Sequence, residues 1–209
     1  MITTIRLQNF RCFDTLVLEF PESGSVIVGA NAQGKTSILE AVCVLVRLQS
    51  PRSTRMSKMV KVESPGFGVA GECWGNEQQV RFTPRKGAEM KVDDELVIKQ
   101  SDYLRSGGLV VWMGNDDLEL VRGSGKVRRR YLDFLGCQLD PNYRDHLNRY
   151  NRVLKARNIL LKDRVHREAE IAAYTELFIT HGEFLTEARR KLVERLEPEA
   201  ASSQREVSA

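Results

Sequence analysis

The chain has 209 residues, of which 42% are hydrophobic and 29% charged, with a formal net charge of +4 and a pI near 8.9. That is enough for one domain plus an appendage with a useful core, and the mild basicity is compatible with a nucleic-acid partner without requiring one. Cys12, Cys43, Cys73 and Cys137 lie far apart with no C-x-x-C pair, and read as reduced, mostly buried thiols rather than a disulfide framework or a zinc site. His146, His166 and His181 have no ligand spacing and read as exposed helix residues. The N-terminus lacks the apolar region of a signal peptide, and the longest apolar stretch, residues 38–46, is interrupted by Glu40. A cytoplasmic protein with no membrane partner is expected.

Residues 2–20 open the chain in order. Ile5 and Leu7 lead through Asn9, Phe10 and Arg11 to the alternating Leu16, Leu18 and Phe20, which predicts two strands joined by a short turn. Residues 21–24 form a further turn. Val26, Ile27 and Val28 then predict a buried strand ending in a glycine-rich loop. Residues 29–36 match G-x-x-x-x-G-K-[ST] without a mismatch. Gly29 allows a sharp turn. Ala30, Asn31, Ala32, Gln33 and Gly34 can wrap a phosphate with inward backbone N–H groups. Lys35 can reach β and γ phosphates, and the Thr36 hydroxyl can ligate Mg²⁺. The helix that starts here, with Ile38, Val42 and Leu45 on one face, adds its positive N-terminal end. ATP with Mg²⁺ is the expected cofactor.

Leu7-x-Asn9-Phe10-Arg11-x-Phe13, followed by Gly29-x-Asn31-x-x-Gly34-Lys35-Thr36 and Leu39-Glu40-Ala41, resembles the N-terminal head of the RecF family. RecF proteins are bacterial recombination-repair ATPases whose head is similar to those of SMC and ABC ATPases. The resemblance implies an α/β fold: a P-loop head of mixed sheet plus an antiparallel β block, with a helical arm as second lobe. It implies ATP-dependent binding of single-stranded or gapped DNA in repair, recombination and replication-fork maintenance. Recombination mediator proteins are implied as partners, and an ATP-dependent homodimer as a further one. Most SMC-like loops carry Gly where this chain has Ala32.

Arg52, Arg55 and Lys58 lie in a Ser-rich loop and either touch DNA or phosphate or belong to a solvated loop. Ser53-Thr54-Arg55 stands where RecF proteins have Ser-Phe-Arg or Ser-His-Arg. Residues 69–74, 79–82, 91–92 and 96–98 read as short strands, with Asp93, Asp94 and Glu95 at a solvated hairpin tip rather than on a metal. Residues 109–113 predict another buried strand. Asn115 is expected to cap a helix whose first turn carries Asp116, Asp117 and Glu119. The intervening Gly114 and Asn115 argue against a Walker B aspartate at Asp116.

Lys126, Arg128, Arg129 and Arg130 either hold phosphate or a facing subunit, or form the exposed side of a helix packed through Val127, Tyr131, Leu132 and Leu135. Asp140 and Pro141 start a helix with Leu147, Tyr150, Leu154 and Leu161 in its stripe. Ile171, Tyr174, Phe178, Leu185, Ala188, Leu192 and Leu196 give a second stripe, so two antiparallel helices form an arm. Residues 142–167 hold eight Lys/Arg and two Asp/Glu, whereas residues 168–209 hold five and nine. Mutual pairing of the helices or DNA binding explains the split equally. Arg129, Arg130, Arg152, Lys155 and Arg157 are the candidate DNA contacts.

The expected division is 1–135 for the N-terminal part of the head, 136–198 for the arm and 199–209 for a frayed tail after Pro198. Neither a Leu-Ser-Gly-Gly-like signature nor a Walker B strand is found, and the resemblance places both beyond the arm. The chain therefore reads as the N-terminal portion of a longer protein, with no catalytic residue identified. Alternatives are a fragment of another SMC-like ATPase, a small-molecule P-loop kinase, and a nucleotide-free DNA-binding or oligomerisation remnant.

Overall fold

The computed structural model describes residues 1–114, 117–162 and 167–208. It forms two compact units, Met1–Gly114 and Asn115–Ala209. The division thus falls well before the boundary expected at residue 135. The reason is local to the second unit: the helix carrying Arg129 and Arg130 packs with the arm helices, through Tyr143 and Arg189, and belongs with them.

In the first unit, β1 (Thr4–Phe10) and β2 (Phe13–Glu19) form the expected hairpin. The antiparallel block also forms as β3 (Phe67–Cys73), β4 (Asn76–Thr83), β5 (Gly87–Val92) and β6 (Glu95–Val97). Together they make one sheet in the order β2-β1-β3-β4-β5-β6, antiparallel at every pairing. The tip between β5 and β6 is a turn in which Asp93 and Asp94 both have positive φ, and Asp93 accepts the Glu77 N–H, so its carboxylate shapes a turn.

Alternation along these strands turns Ile5, Leu7, Val69, Val80 and Met90 to one face. Phe10 joins the core one residue out of step, after Asn9, which has positive φ and no partner in the β1–β2 register. Helix α1 (Lys35–Arg47) lays Ala41, Val44 and Leu45 on that face and completes the core. Each large side chain so buried contributes about 1.5–3 kcal/mol. Helix α2 (Gln100–Arg105) closes the far end of α1, where the buried Tyr103 hydroxyl donates to the Leu45 carbonyl at 2.6 Å. The Arg47 guanidinium donates to the carbonyls of Leu104 and Gly108.

Two expected strands do not form. Residues 25–30 and 109–114 carry no regular secondary structure. Ile27 and Val110 are half-buried, but Val26 is 89%, Val28 84%, Val111 94% and Met113 89% exposed. Both runs have the composition of strands buried on two faces, a composition suited to a parallel sheet. Pairing is the missing half of that requirement: among the described residues no strand lies beside either run.

In the second unit, α3 (Leu118–Arg122) is a single short turn of helix. Helix α4 (Gly125–Leu139) is followed by α5 (Pro141–Leu160), started as expected by Pro141 and by the Asp140 side chain, which accepts from the Asn142 N–H at 2.8 Å. Helix α6 (Glu168–Ser208) runs antiparallel to α5, as the pairs Tyr143 with Phe184 and Tyr150 with Phe178 show. The frayed tail is corrected: α6 continues through Pro198 to Ser208. Proline there removes one backbone donor but leaves the helical φ available, and the next turns are carried by Ala, Glu, Gln and Arg. The α5–α6 interface carries aromatic pairs, and among the described residues the ion pairs on α5 and within α6 join neighbours of one helix, such as Arg149 with Asp145 and Arg190 with Glu187.

Candidate nucleotide site

The phosphate-loop residues lie at the N-terminal end of α1. Gly29, Ala30, Asn31, Ala32, Gln33 and Thr36 are exposed, and Gly34 and Lys35 are half-buried. Gly34 precedes the helix with φ 88° and ψ 7°, in the left-handed region. A Cβ at this position would lie 2.5 Å from the Phe13 ring and 2.6 Å from the Cys12 sulfur. Glycine is therefore required twice, by dihedral and by space. Ala32 also has positive φ, at 65°.

No acidic residue occupies the first turn of α1 and no side chain caps it. The first N–H groups of a helix have no intrahelical acceptor, so this end offers donors and a positive partial charge to an anion. The Lys35 ammonium donates to the carbonyls of Gly29 and Ala30, each at 2.7 Å. The loop thus closes on its own lysine, with the Thr36 hydroxyl beside it in solvent. This donor set fits a polyphosphate: amides, one ammonium and one hydroxyl converge on a loop with no Cβ at Gly34.

The loop rests on a network that the sequence reading did not assemble. Glu40 is fully buried on α1. Its carboxylate accepts from Arg11 Nε at 2.9 Å and Nη2 at 2.7 Å, from the Ser50 hydroxyl at 2.5 Å, and from Arg52 Nη1 at 3.4 Å. An acid within the apolar run 38–46 was the available signal. Arg52 is therefore held by Glu40, Lys58 supplies its backbone carbonyl to Arg11, and Arg55 is exposed. Three thiols are buried as expected, and burial beside Glu40 pushes the Cys43 thiol up to about 12, whereas Cys12 is exposed at the loop.

The DNA candidates lie on two helices of the second unit. Arg129 and Arg130 are exposed on α4, and Arg152 and Lys155 on α5. Arg157 is instead drawn into the arm. Its Nε donates to the Thr175 hydroxyl at 2.9 Å, and its guanidinium lies 5.9 Å above the Phe178 ring centroid. Arg128 donates to the carbonyls of Leu120 and Gly123. Asn115 and Asp116 lie outside the described residues, so the expected cap does too; Asp117 precedes α3 without a capping hydrogen bond.

The expectation of exposed histidines is corrected for two of them, while His166 lies outside the described residues. His181 is buried and His146 half-buried, with their Nδ1 atoms 3.2 Å apart and Phe184 stacked on His146. Helix register brings together residues 35 apart in sequence, which no local spacing reveals. Among the described residues no group of three or more His, Cys, Asp or Glu side chains is placed to hold a metal, and no helix is long and apolar enough to cross a membrane.

A helix-leading phosphate loop set on a hairpin-and-meander sheet is the arrangement of a P-loop ATPase head. A family model for the AAA domain, AAA_23, matches residues 4–206. Along the whole chain, the DNA replication and repair protein RecF of Shouchella clausii is 31% identical over 215 residues, covering 100% of this chain and 58% of that protein. RecF of Exiguobacterium sp. is 37% identical over 165 residues, covering 77% and 44%. The structure of the recombination mediator protein RecF-ATPrS in the RecFOR pathway superposes with a TM-score of 0.79 at 28% identity, covering 94% of this chain and 55% of that one. An SMC ATPase structure at 18% identity and a TM-score of 0.51 shares the fold. The chain belongs to the RecF family and corresponds to its N-terminal portion, spanning about half the length of the curated relatives it matches.

Proposed function

We propose that this chain supplies the ATP-binding part of a RecF-like protein of DNA recombination, repair and replication-fork maintenance, acting in the cytoplasm on single-stranded or gapped DNA. The observation that carries the reading is the loop itself. Lys35, Thr36 and the first amides of α1 stand at one exposed end of a helix, backed by Phe13 and Cys12. Gly29, Ala30, Asn31, Ala32, Gln33 and Gly34 wrap the phosphates, and Lys35 leaves the carbonyls of Gly29 and Ala30 for the β and γ oxygens. Thr36 offers its hydroxyl to Mg²⁺, which when bound neutralises phosphate charge. The second unit supplies exposed cations for DNA phosphates through Arg129, Arg130, Arg152 and Lys155. ATP-dependent pairing of two copies and contact with recombination mediator proteins complete the reading that the RecF resemblance implies.

The test is nucleotide titration of the chain and of Lys35→Ala. A charge-assisted contact to phosphate is worth about 1.5–3 kcal/mol, so affinity should fall roughly ten-fold or more. Equal ATP binding by both proteins would remove the phosphate loop from the explanation.

A further inference from the structure

Glu40 is a carboxylate with no exposed surface, on the helix that begins with the phosphate loop. Burying such a charge is costly unless every oxygen is paired, and even a well-paired buried ion pair is weak evidence for stability. Such a network does fix geometry, because the guanidinium fork accepts one arrangement of the two oxygens. Here the fork belongs to Arg11, which sits in the β1–β2 turn with φ 56°. Its third nitrogen donates to the Lys58 carbonyl at 2.8 Å, and its backbone N–H donates to the Met59 carbonyl at 2.8 Å. Arg11 is thus held from several sides in a backbone conformation that side chains rarely adopt. The next two residues, Cys12 and Phe13, press directly on Gly34. On its other side Glu40 accepts from Ser50, whose oxygen accepts the N–H groups of Arg52 at 3.0 Å and Ser53 at 2.9 Å.

We propose that Glu40 is a positioning residue of the nucleotide site: through Arg11 it sets the turn that backs Gly34, and through Ser50 it sets the loop that begins at Arg52. This inference rests on the nucleotide-binding reading and adds to it a group that touches neither the phosphates nor the metal. Glu40 fixes the floor of the loop from behind, so its loss should loosen the loop.

The experiment uses the 209-residue chain with Glu40→Gln, Arg11→Lys and the double variant, each checked for folding by circular dichroism. Arg11→Lys keeps the charge and loses the fork, so it carries the test even if Glu40→Gln does not fold. Two quantities are measured well below the melting temperature: affinity for Mg·ATP, and the labelling rate of Cys12, the exposed thiol, by a disulfide reagent. Each single variant should bind Mg·ATP roughly ten-fold more weakly, and the double variant no worse than the weaker single one, since both remove one interaction. Cys12 should label faster in all three. Folded Arg11→Lys with wild-type affinity and labelling, and only a lower melting temperature, would overturn the inference and leave Glu40 as packing. Failure of the wild-type chain itself to bind Mg·ATP would overturn the nucleotide reading, and this inference with it.

Discussion

Replacing Gly34 by alanine would put a methyl group where the ring of Phe13 and the sulfur of Cys12 already lie, at 2.5 and 2.6 Å. Two costs add. The left-handed backbone, with φ 88°, costs a side-chain-bearing residue about 1–2 kcal/mol. Forcing a methyl into filled space costs about 1–3 kcal/mol more. Gly24 provides an internal control: its φ is 97°, yet nothing lies within 4 Å of its missing Cβ. Gly24→Ala should therefore show only the first cost. Urea denaturation of the two variants and the wild type gives the difference directly. Gly34→Ala should be less stable than Gly24→Ala by about 1–3 kcal/mol, and Phe13→Ala introduced beside it should recover part of the loss. Nucleotide affinity should fall in Gly34→Ala and hold in Gly24→Ala. Equal stability of the two glycine variants would refute the idea that the β1–β2 turn supports the phosphate loop.

The basic residues of the second unit should separate into two groups. Neutralising Arg129, Arg130, Arg152 and Lys155 should weaken single-stranded DNA binding and flatten its salt dependence, measured by fluorescence anisotropy across a salt series. Arg157→Ala should instead lower arm stability by about 1–2 kcal/mol, read by thermal melting, because its guanidinium is spent on Thr175 and Phe178. The His146–His181 pair should make the arm sensitive to acid. Burial, then His146, then Arg149 hold the His181 pKa below its usual value, against an opposing pull from Asp145. The folded arm therefore binds fewer protons than the unfolded one, so this contribution is complete above the ordinary histidine pKa of about 6.5 and lost as pH falls below it. Melting curves at descending pH should show the loss, and His181→Gln should flatten it. Steady-state phosphate release should be negligible for this chain alone, since its sequence holds neither a Leu-Ser-Gly-Gly-like signature nor a Walker B strand to orient the attacking water; turnover typical of an intact head would contradict that reading.

Features set by near neighbours in sequence were legible before the structure. The glycine-lysine-threonine spacing, the apolar stripe of α1, the alternation through β1 to β5 and the Asp140-Pro141 helix start all depend on local geometry. Features that need a distant partner were not. Val26 and Val28 have strand propensity, but a strand exists only when another lies beside it. Glu40 looked like an interruption of an apolar run because its partners come from residue 11 and from residues 50 and 52. His146 and His181 meet only through the register of two helices. Pro198 resembles a helix stop in the sequence, yet its fixed φ is helical and only one donor is lost, so α6 runs on to Ser208.

The outward-facing Val26, Val28, Leu109, Val111 and Met113 also bear on how this chain behaves in a test tube. Short β-branched, nearly uncharged runs are templates for pairing with any other extended chain. At the concentrations used for calorimetry, copies of the polypeptide should cluster through these runs in proportion to concentration, and salts that strengthen apolar association should hasten it. A lysine in place of Val28 or Val111 acts as a gatekeeper against such clustering. Light scattering would then fall while the sheet, to which neither side chain contributes, keeps its fold.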